Sequence, residues 1–307
     1  MNKEDVCILI PTLNEGKTIG GIVSEFRSMG FSNILVIDGH SKDDTVKIAE
    51  KEGAKVILQS GKGKGQAVTQ AFQAINTRYV VMIDGDGTYL PEEVYTLLEP
   101  VTSGQVDHVI GTRIGNYQKG AFTRVNLFGN WILNKIFGFA YGVWLEDILS
   151  GYRAFTHDAI KQIELNRTGF EVETEITVEC VKKNLKTTEV PIKYLSRVSG
   201  AATKLKPIRD GFRIFSTIFL LARMHNPLFY FGVMGGVLTL SGLAIGIYVV
   251  NEWFKRIDHI PLTILATLLI VTGIQVFILM VVSDLMVSMH RENMHLMSKI
   301  LKEKEKK

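Results

Sequence analysis

A chain of 307 residues has room for one large domain or two small ones, and its composition changes near Met224 from that of a soluble α/β protein to long uncharged runs. The formal net charge of +4 gathers beside those runs with no basic-aromatic face or nucleic-acid motif, which points to anionic lipid and excludes nucleic acid as a partner. Two cysteines, Cys7 and Cys180, lack metal-ligand spacing and are expected to stay reduced.

The first half alternates strand and helix. Short apolar runs at 6–10, 34–37, 55–58, 79–83 and 108–111 predict strands. Between them, 18–29, 45–52, 65–76 and 91–101 carry helical patterns, the last opened by a proline suited to a first turn. Such alternation predicts a mostly parallel sheet covered on both faces, with ligands bound beyond the carboxyl ends of the strands. Those ends carry residues 11–15, 38–44, 60–65, 84–88 and 112–113. Gly61-Lys62-Gly63-Lys64-Gly65 follows a strand and opens a helix, but Gln66 breaks the dinucleotide fingerprint. It reads either as a cationic loop closing over phosphates or as a solvated turn.

Asp84-Gly85-Asp86 closes the fourth run. In an extended segment residues i and i+2 point the same way, so two carboxylates converge at a strand end. Such oxygens suit Mg²⁺ or Mn²⁺ shared with a diphosphate; the plainer reading is an Asp-Gly turn in water.

The stretch 118–142 is amphipathic, with Phe128 and Trp131 among its apolar residues and Arg124 and Lys135 among its polar ones, and fits core packing or membrane-surface contact equally. Residues 204–227 predict an interfacial helix. Two uncharged spans, 229–250 and 260–283, are each long enough to cross a hydrocarbon core of about 30 Å as a helix, forming a hairpin. Lys and Arg flank the pair on its outer sides, while the intervening loop carries only Lys255 and Arg256. Positive-inside then puts both termini in the cytoplasm. The run 6–10 is too short for a secretory signal, which agrees. The expected organisation is a cytosolic α/β domain at 1–203, a juxtamembrane helix at 204–227, the hairpin at 228–284 and a basic cytosolic tail at 285–307.

Five segments together resemble one family: Ile10 to Glu15 (IPTLNE), Ile37 to Thr45 (IDGHSKDDT), Asp84 to Thr88 (DGDGT), Asp147 to Arg153 (DILSGYR), and Glu189 to Ile192 (EVPI) followed by Arg197 and Lys204. They are similar to the inverting glycosyltransferases of family 2, and more narrowly to the polyprenyl-phosphate glycosyltransferases, the group containing dolichyl-phosphate mannose and glucose synthases. The resemblance implies a GT-A fold, a nucleoside-diphosphate sugar donor and Mg²⁺ or Mn²⁺. It places Pro11, Leu13 and Glu15 against the nucleobase and ribose, and Ile37 and Asp38 at the base. Asp84 and Gly85 would approach the ribose and diphosphate, with Lys64 and Arg113 as further donor-binding residues. Asp86 would be the principal metal ligand, in a set with Asp84 and Thr88. Arg124, Arg197 and Lys204 would face the lipid phosphate. Thr88 stands where the mannose synthases commonly carry glutamine, and Gly39 interrupts their paired aspartates, so UDP-sugars rank ahead of GDP-mannose.

A phosphate monoester acceptor, with a second pKa of about 6, is already largely a dianion at neutral pH and needs no general base. The reaction needs cations around the phosphates and a metal for the departing diphosphate. Asp147 matches the position of the base in relatives that act on hydroxyl acceptors; here it could orient Arg153 or the sugar. A processive polysaccharide synthase shares the fold but wants more spans and a Q-x-x-R-W segment. A catalytically idle nucleotide-sugar scaffold is opposed by intact Asp84, Asp86 and Asp147. Which sugar is carried, the length of the lipid and self-association are left open by the sequence.

Overall fold

The computed structural model describes residues 2–166, 169, 171–197 and 207–305. In chain order these form β1 (Val6–Thr12), α1 (Ile19–Ser28), β2 (Asn33–Asp38), α2 (Thr45–Lys51), β3 (Lys55–Leu58), α3 (Lys64–Ala74), β4 (Tyr79–Met82), α4 (Val94–Thr102), β5 (His108–Thr112), α5 (Arg124–Tyr141), β6 (Arg153–Thr156), α6 (His157–Gln162), α7 (Val172–Lys182), β7 (Thr187–Pro191), α8 (Pro207–His225), α9 (Pro227–Phe254) and α10 (Ile260–Glu305). They fall into two units, Met1–Gly138 with Gly142–Ile218, and Phe139–Tyr141 with Phe219–Lys307.

The seven strands make one sheet in the order β3-β2-β1-β4-β6-β5-β7. All neighbours run parallel except β6, which opposes both β4 and β5. The predicted mostly parallel sheet is therefore present, with two strands the apolar runs did not signal. β6 is only four residues long and opens on an arginine; β7 is an edge strand, half-exposed and ending in a proline that an edge tolerates.

Alternation along the central strands divides the core. Val6, Ile8 and Ile10 point to the layer holding Ile22 and Phe26 of α1 with Leu97 and Val101 of α4. Cys7 and Leu9 point to the opposite layer, with Val68 and Phe72 of α3, Ile160 of α6 and Ile176 of α7. Near-continuous apolar runs in β1 and β4 follow from burial on both faces. Phe26 meets Phe31 edge-on at 6.0 Å, and its truncation to alanine would cost about 3 to 5 kcal/mol. Burial pushes the Cys7 and Cys180 thiols up to about 12, so both are inert apolar fillers at neutral pH.

In the second unit, α9 and α10 contain two helical stretches, Pro227–Phe254 and Ile260–Met289, long and apolar enough to cross a membrane, with mean hydropathies of 2.0 and 2.6. They pack through small residues. A Cβ on Gly273 would lie 3.0 Å from the Gly235 carbonyl oxygen, and one on Gly242 would lie 2.9 Å from that of Ala266. Elsewhere the apolar side chains face outward, Leu240 at 68% and Ile247 at 71% exposure. Where a tail was expected from residue 285, the helical backbone of α10 continues to Glu305.

Candidate active site

β1, β2 and β4 are parallel neighbours, with Leu9 opposite both Leu35 and Met82, so the loops leaving them emerge at one edge. Pro11 is buried at the end of β1, and Leu13 stands at the rim with 40% exposure. Glu15 is half-buried and its N–H donates to the Thr45 hydroxyl at 2.9 Å. Asp38 is fully buried and accepts from the Thr12 hydroxyl at 3.3 Å and from the N–H and hydroxyl of Ser41 at 2.8 and 2.5 Å, tying the ends of β1 and β2 together. Ile37, expected beside a nucleobase, packs in the core layer with α3.

Asp84, Gly85 and Asp86 follow β4 through Ile83, whose N–H bonds the Leu9 carbonyl at 3.0 Å. Close approach selects Gly85, since a Cβ there would lie 2.8 Å from Thr12 Cγ2. Gly87, at φ +74°, turns the chain so that Thr88 comes back on Asp86. The Thr88 N–H and hydroxyl donate to Asp86 Oδ1 at 3.1 and 2.6 Å. Each carboxylate already faces a side-chain cation. The Lys64 ammonium bridges Asp84 and Glu173 of α7, and Arg197 Nη2 lies 2.7 Å from Asp86 Oδ2. Burial alone would lower the Lys64 pKa; the charges of Asp84 and Glu173 outweigh it and hold the ammonium above its usual range.

Asp147 lies on the loop before β6 and is fully buried. Its Oδ2 accepts from the Arg113 N–H at 3.0 Å and Nε at 2.7 Å, and its Oδ1 accepts from Arg113 Nη2 at 2.8 Å and Asn130 Nδ2 at 3.2 Å. Four donors fill the acceptor sites of one carboxylate. Burial pushes its pKa up, but the Arg113 charge and these bonds pull it further down, so it ends below the ordinary aspartate value. Its partner is thus Arg113 and not Arg153. The Arg153 guanidinium is fully buried and donates instead to the carbonyls of Ser150 at 2.8 Å and Ile148 at 2.7 Å and to the Thr177 hydroxyl at 2.8 Å.

Aromatic rings frame the other side of Arg113, whose guanidinium lies 5.3 Å from the Phe122 ring centre and 5.2 Å from that of Tyr194. Tyr194 in turn packs edge-on against Tyr89 at 5.1 Å, and Leu195 N–H bonds the Thr88 carbonyl at 2.8 Å. The stem leading to Arg197 is thereby fixed to the Asp86 loop. Arg124 is exposed in the first turn of α5, and no hydrogen bond or ion pair engages its side chain among the described residues. Lys204 lies outside the described residues.

The structure therefore brings Lys64, Asp84, Gly85, Asp86, Thr88 and Arg197 into one group and Arg113 with Asp147 into another, joined through Tyr194. Sequence reasoning missed Glu173, Asn130, Asn134 and Tyr194. The available signal was Asn130 and Asn134 spaced i, i+4 beside Leu133 and Phe137 on the buried face of α5.

Among the described residues no group of three or more His, Cys, Asp or Glu is arranged to hold a metal ion by itself. The two carboxylates and the Thr88 hydroxyl are hard oxygen donors, incomplete by themselves and suited to an ion that also takes oxygens from a diphosphate. By donor chemistry they fit Mg²⁺ or Mn²⁺, once the ion displaces Lys64 and Arg197 from the two carboxylates.

Residues 7–163 match the model of the family described as Glycosyl transferase family 2. The chain belongs to glycosyltransferase family 2. It is similar to glycosyltransferase AglJ of Haloferax volcanii, with 47% identity over 94% of this chain and 96% of that one. It is also similar to a dolichyl-phosphate hexose transferase of the same organism, with 33% identity over 70% of this chain and 92% of that protein. Among solved structures, glucosyl-3-phosphoglycerate synthase from Mycobacterium tuberculosis, in complex with Mn²⁺, UDP-glucose and phosphoglyceric acid, superposes with a TM-score of 0.57 at 21% identity, covering 71% of this chain and 79% of that one. The fold is the GT-A fold of that synthase, and this family 2 member is a glycosyltransferase.

Proposed function

We propose that the enzyme transfers a single sugar from a UDP-sugar to a polyprenyl phosphate such as dolichyl phosphate, with inversion. The observation that carries this reading is the engagement of Asp147: a buried carboxylate held by four donors and paired to Arg113 is poorly placed to take a proton from a hydroxyl acceptor. A phosphate acceptor removes the need. Its dianionic oxygen attacks the anomeric carbon on the face opposite the diphosphate, the bond from that carbon to the diphosphate oxygen breaks, and the nucleoside diphosphate leaves with the electron pair. No proton moves.

Pro11, Leu13, Glu15 and Asp38 would serve the nucleotide end of the site, the buried Asp38 by fixing the β1 and β2 ends, and Lys64 and Arg113 would supply positive charge toward the diphosphate. Asp86, Asp84 and Thr88 would hold the divalent ion, which supplies charge neutralisation for the departing diphosphate. Arg124, Arg197 and Lys204 serve the acceptor phosphate. Thr88 and Gly39 favour uridine over guanosine donors, as does the UDP-glucose bound by the structural neighbour. The catalytic domain and both termini lie on the cytoplasmic side, where Arg209, Arg213 and Arg223 precede the first span.

The test is nucleoside diphosphate release from a panel of UDP- and GDP-sugars, measured with and without dolichyl phosphate. Release that depends on the lipid with one UDP-sugar supports the reading. Release that extends a polymer, or donor binding with no release, overturns it in favour of a processive synthase or an idle scaffold.

A further inference from the structure

Arg113 is aimed by Asp147, but Asp147 sits on a loop with no strand or helix of its own. Apart from one backbone bond, from the Ser150 N–H to the Asp147 carbonyl at 3.3 Å, the peptide groups around it are held by side chains. Glu189, on β7, accepts the N–H of Glu146 at 2.8 Å with Oε2 and the N–H of Asp147 at 2.9 Å with Oε1. Asn134, on α5, donates to the Glu146 carbonyl and accepts the Ile148 N–H at 3.2 Å. Three consecutive amides and the carbonyl between them are thus held by two residues from two different elements. β7 is itself fixed, with Glu189 in register against Ile110 of β5 two positions before Thr112, which precedes Arg113.

We infer that Glu189 and Asn134 are positioning residues that set the Arg113 guanidinium through the Asp147 peptide. The inference rests on the proposed role of Arg113 at the phosphates. Its physical basis is that displacement of a reacting geometry by about 1 Å costs on the order of 10²-fold in rate, even when the change lies away from the reacting atoms. Glu189 is suited to the task because both oxygens are acceptors. A carboxamide in its place presents an NH₂ group to one of the two N–H donors.

The experiment compares Glu189→Gln, Asn134→Ala, Arg113→Lys and the Glu189→Gln/Arg113→Lys pair in the full-length membrane-embedded enzyme. Expected for Glu189→Gln is a kcat lower by about 10- to 100-fold, a donor KM raised no further than Arg113→Lys raises it, and a double variant no slower than Arg113→Lys alone. Hydrogen exchange supplies a readout independent of turnover: amides of 144–150 exchange faster in Glu189→Gln while those of 6–12 do not. Losses that multiply in the double variant, or unchanged exchange at 144–150, overturn the inference. If the wild type shows no release that depends on polyprenyl phosphate, the functional reading fails instead, and the exchange measurement still decides the positioning claim.

Discussion

Arg197 occupies Asp86, the carboxylate proposed for the divalent ion. Its Nη2 lies 2.7 Å from Asp86 Oδ2, with the Arg197 side chain 29% exposed and that of Asp86 8% exposed. A charge-assisted hydrogen bond contributes about 1.5 to 3 kcal/mol net, and the retained hydration of the guanidinium places this one near the lower end. Metal binding must displace it. Arg197→Ala should therefore tighten Mn²⁺ binding in the absence of nucleotide by roughly tenfold, at about 1.4 kcal/mol per decade. The same change should lower kcat/KM for the lipid acceptor by about tenfold, because the cation freed by the metal is the one assigned to the acceptor phosphate. Titration followed by electron paramagnetic resonance of free Mn²⁺, beside acceptor-saturation kinetics, reads both halves, with Arg197→Lys expected between the extremes. Mn²⁺ affinity that stays the same or weakens in Arg197→Ala would refute the exchange.

Asp86→Asn should abolish turnover while leaving the melting temperature within a few degrees, and a chelator should reproduce the loss in the wild type; full activity with chelator present would rule out the metal. Asp147→Asn leaves the Arg113 cation buried without its counter-ion and should cost about 3 to 5 kcal/mol by chemical denaturation. Because the folded pKa of Asp147 is depressed, its stabilisation is present above the ordinary aspartate value of about 3.9 and fades as pH falls through the lower folded value. A wild-type stability advantage over Asp147→Asn that persisted undiminished into strong acid would contradict this. Acceptor kcat/KM should rise with pH through about 6 as the phosphate dianion forms, and a profile without that limb would point to a different acceptor. A cysteine placed at Asp258 should react with an impermeant reagent in sealed cells while one at Lys47 does not; the reverse pattern would invert the topology.

The sheet was legible because five apolar runs sit between helical patterns, and their carboxyl ends held most of the charged residues that now cluster. What escaped the sequence is long-range and polar. Glu189 opens the EVPI segment that carried part of the resemblance, but it bonds a peptide 42 positions away, and nothing local tells what its carboxylate holds. Glu173 and Glu179 lie on α7, where the sequence offered no reading, and both are buried, Glu173 against Lys64 and Glu179 against Lys182. Asp147 was recognised by motif and expected to orient Arg153 or the sugar, but the fold sends Arg153 into the core and brings Arg113 to Asp147 instead. Arg197 was assigned to the lipid phosphate from its motif, and only the geometry revealed its grip on Asp86.

β6 alone runs against its neighbours, and this reversal decides which loops meet. A parallel strand serves the active edge with the residues that leave it; an antiparallel one serves that edge with the residues that enter it. β4 therefore delivers Asp86 downstream and β6 delivers Asp147 upstream, from adjacent places in the sheet. Their separation is gauged by one ladder, in which Met82 stands opposite Arg153 and Val81 opposite Ala154. A slip of a single rung would carry Asp147 about 3.3 Å along the strand and turn Arg153 out of its pocket to the opposite layer. The buried arginine thus acts as a detent on that ladder, keeping the Asp86 loop and the anchor for Arg113 at a constant spacing.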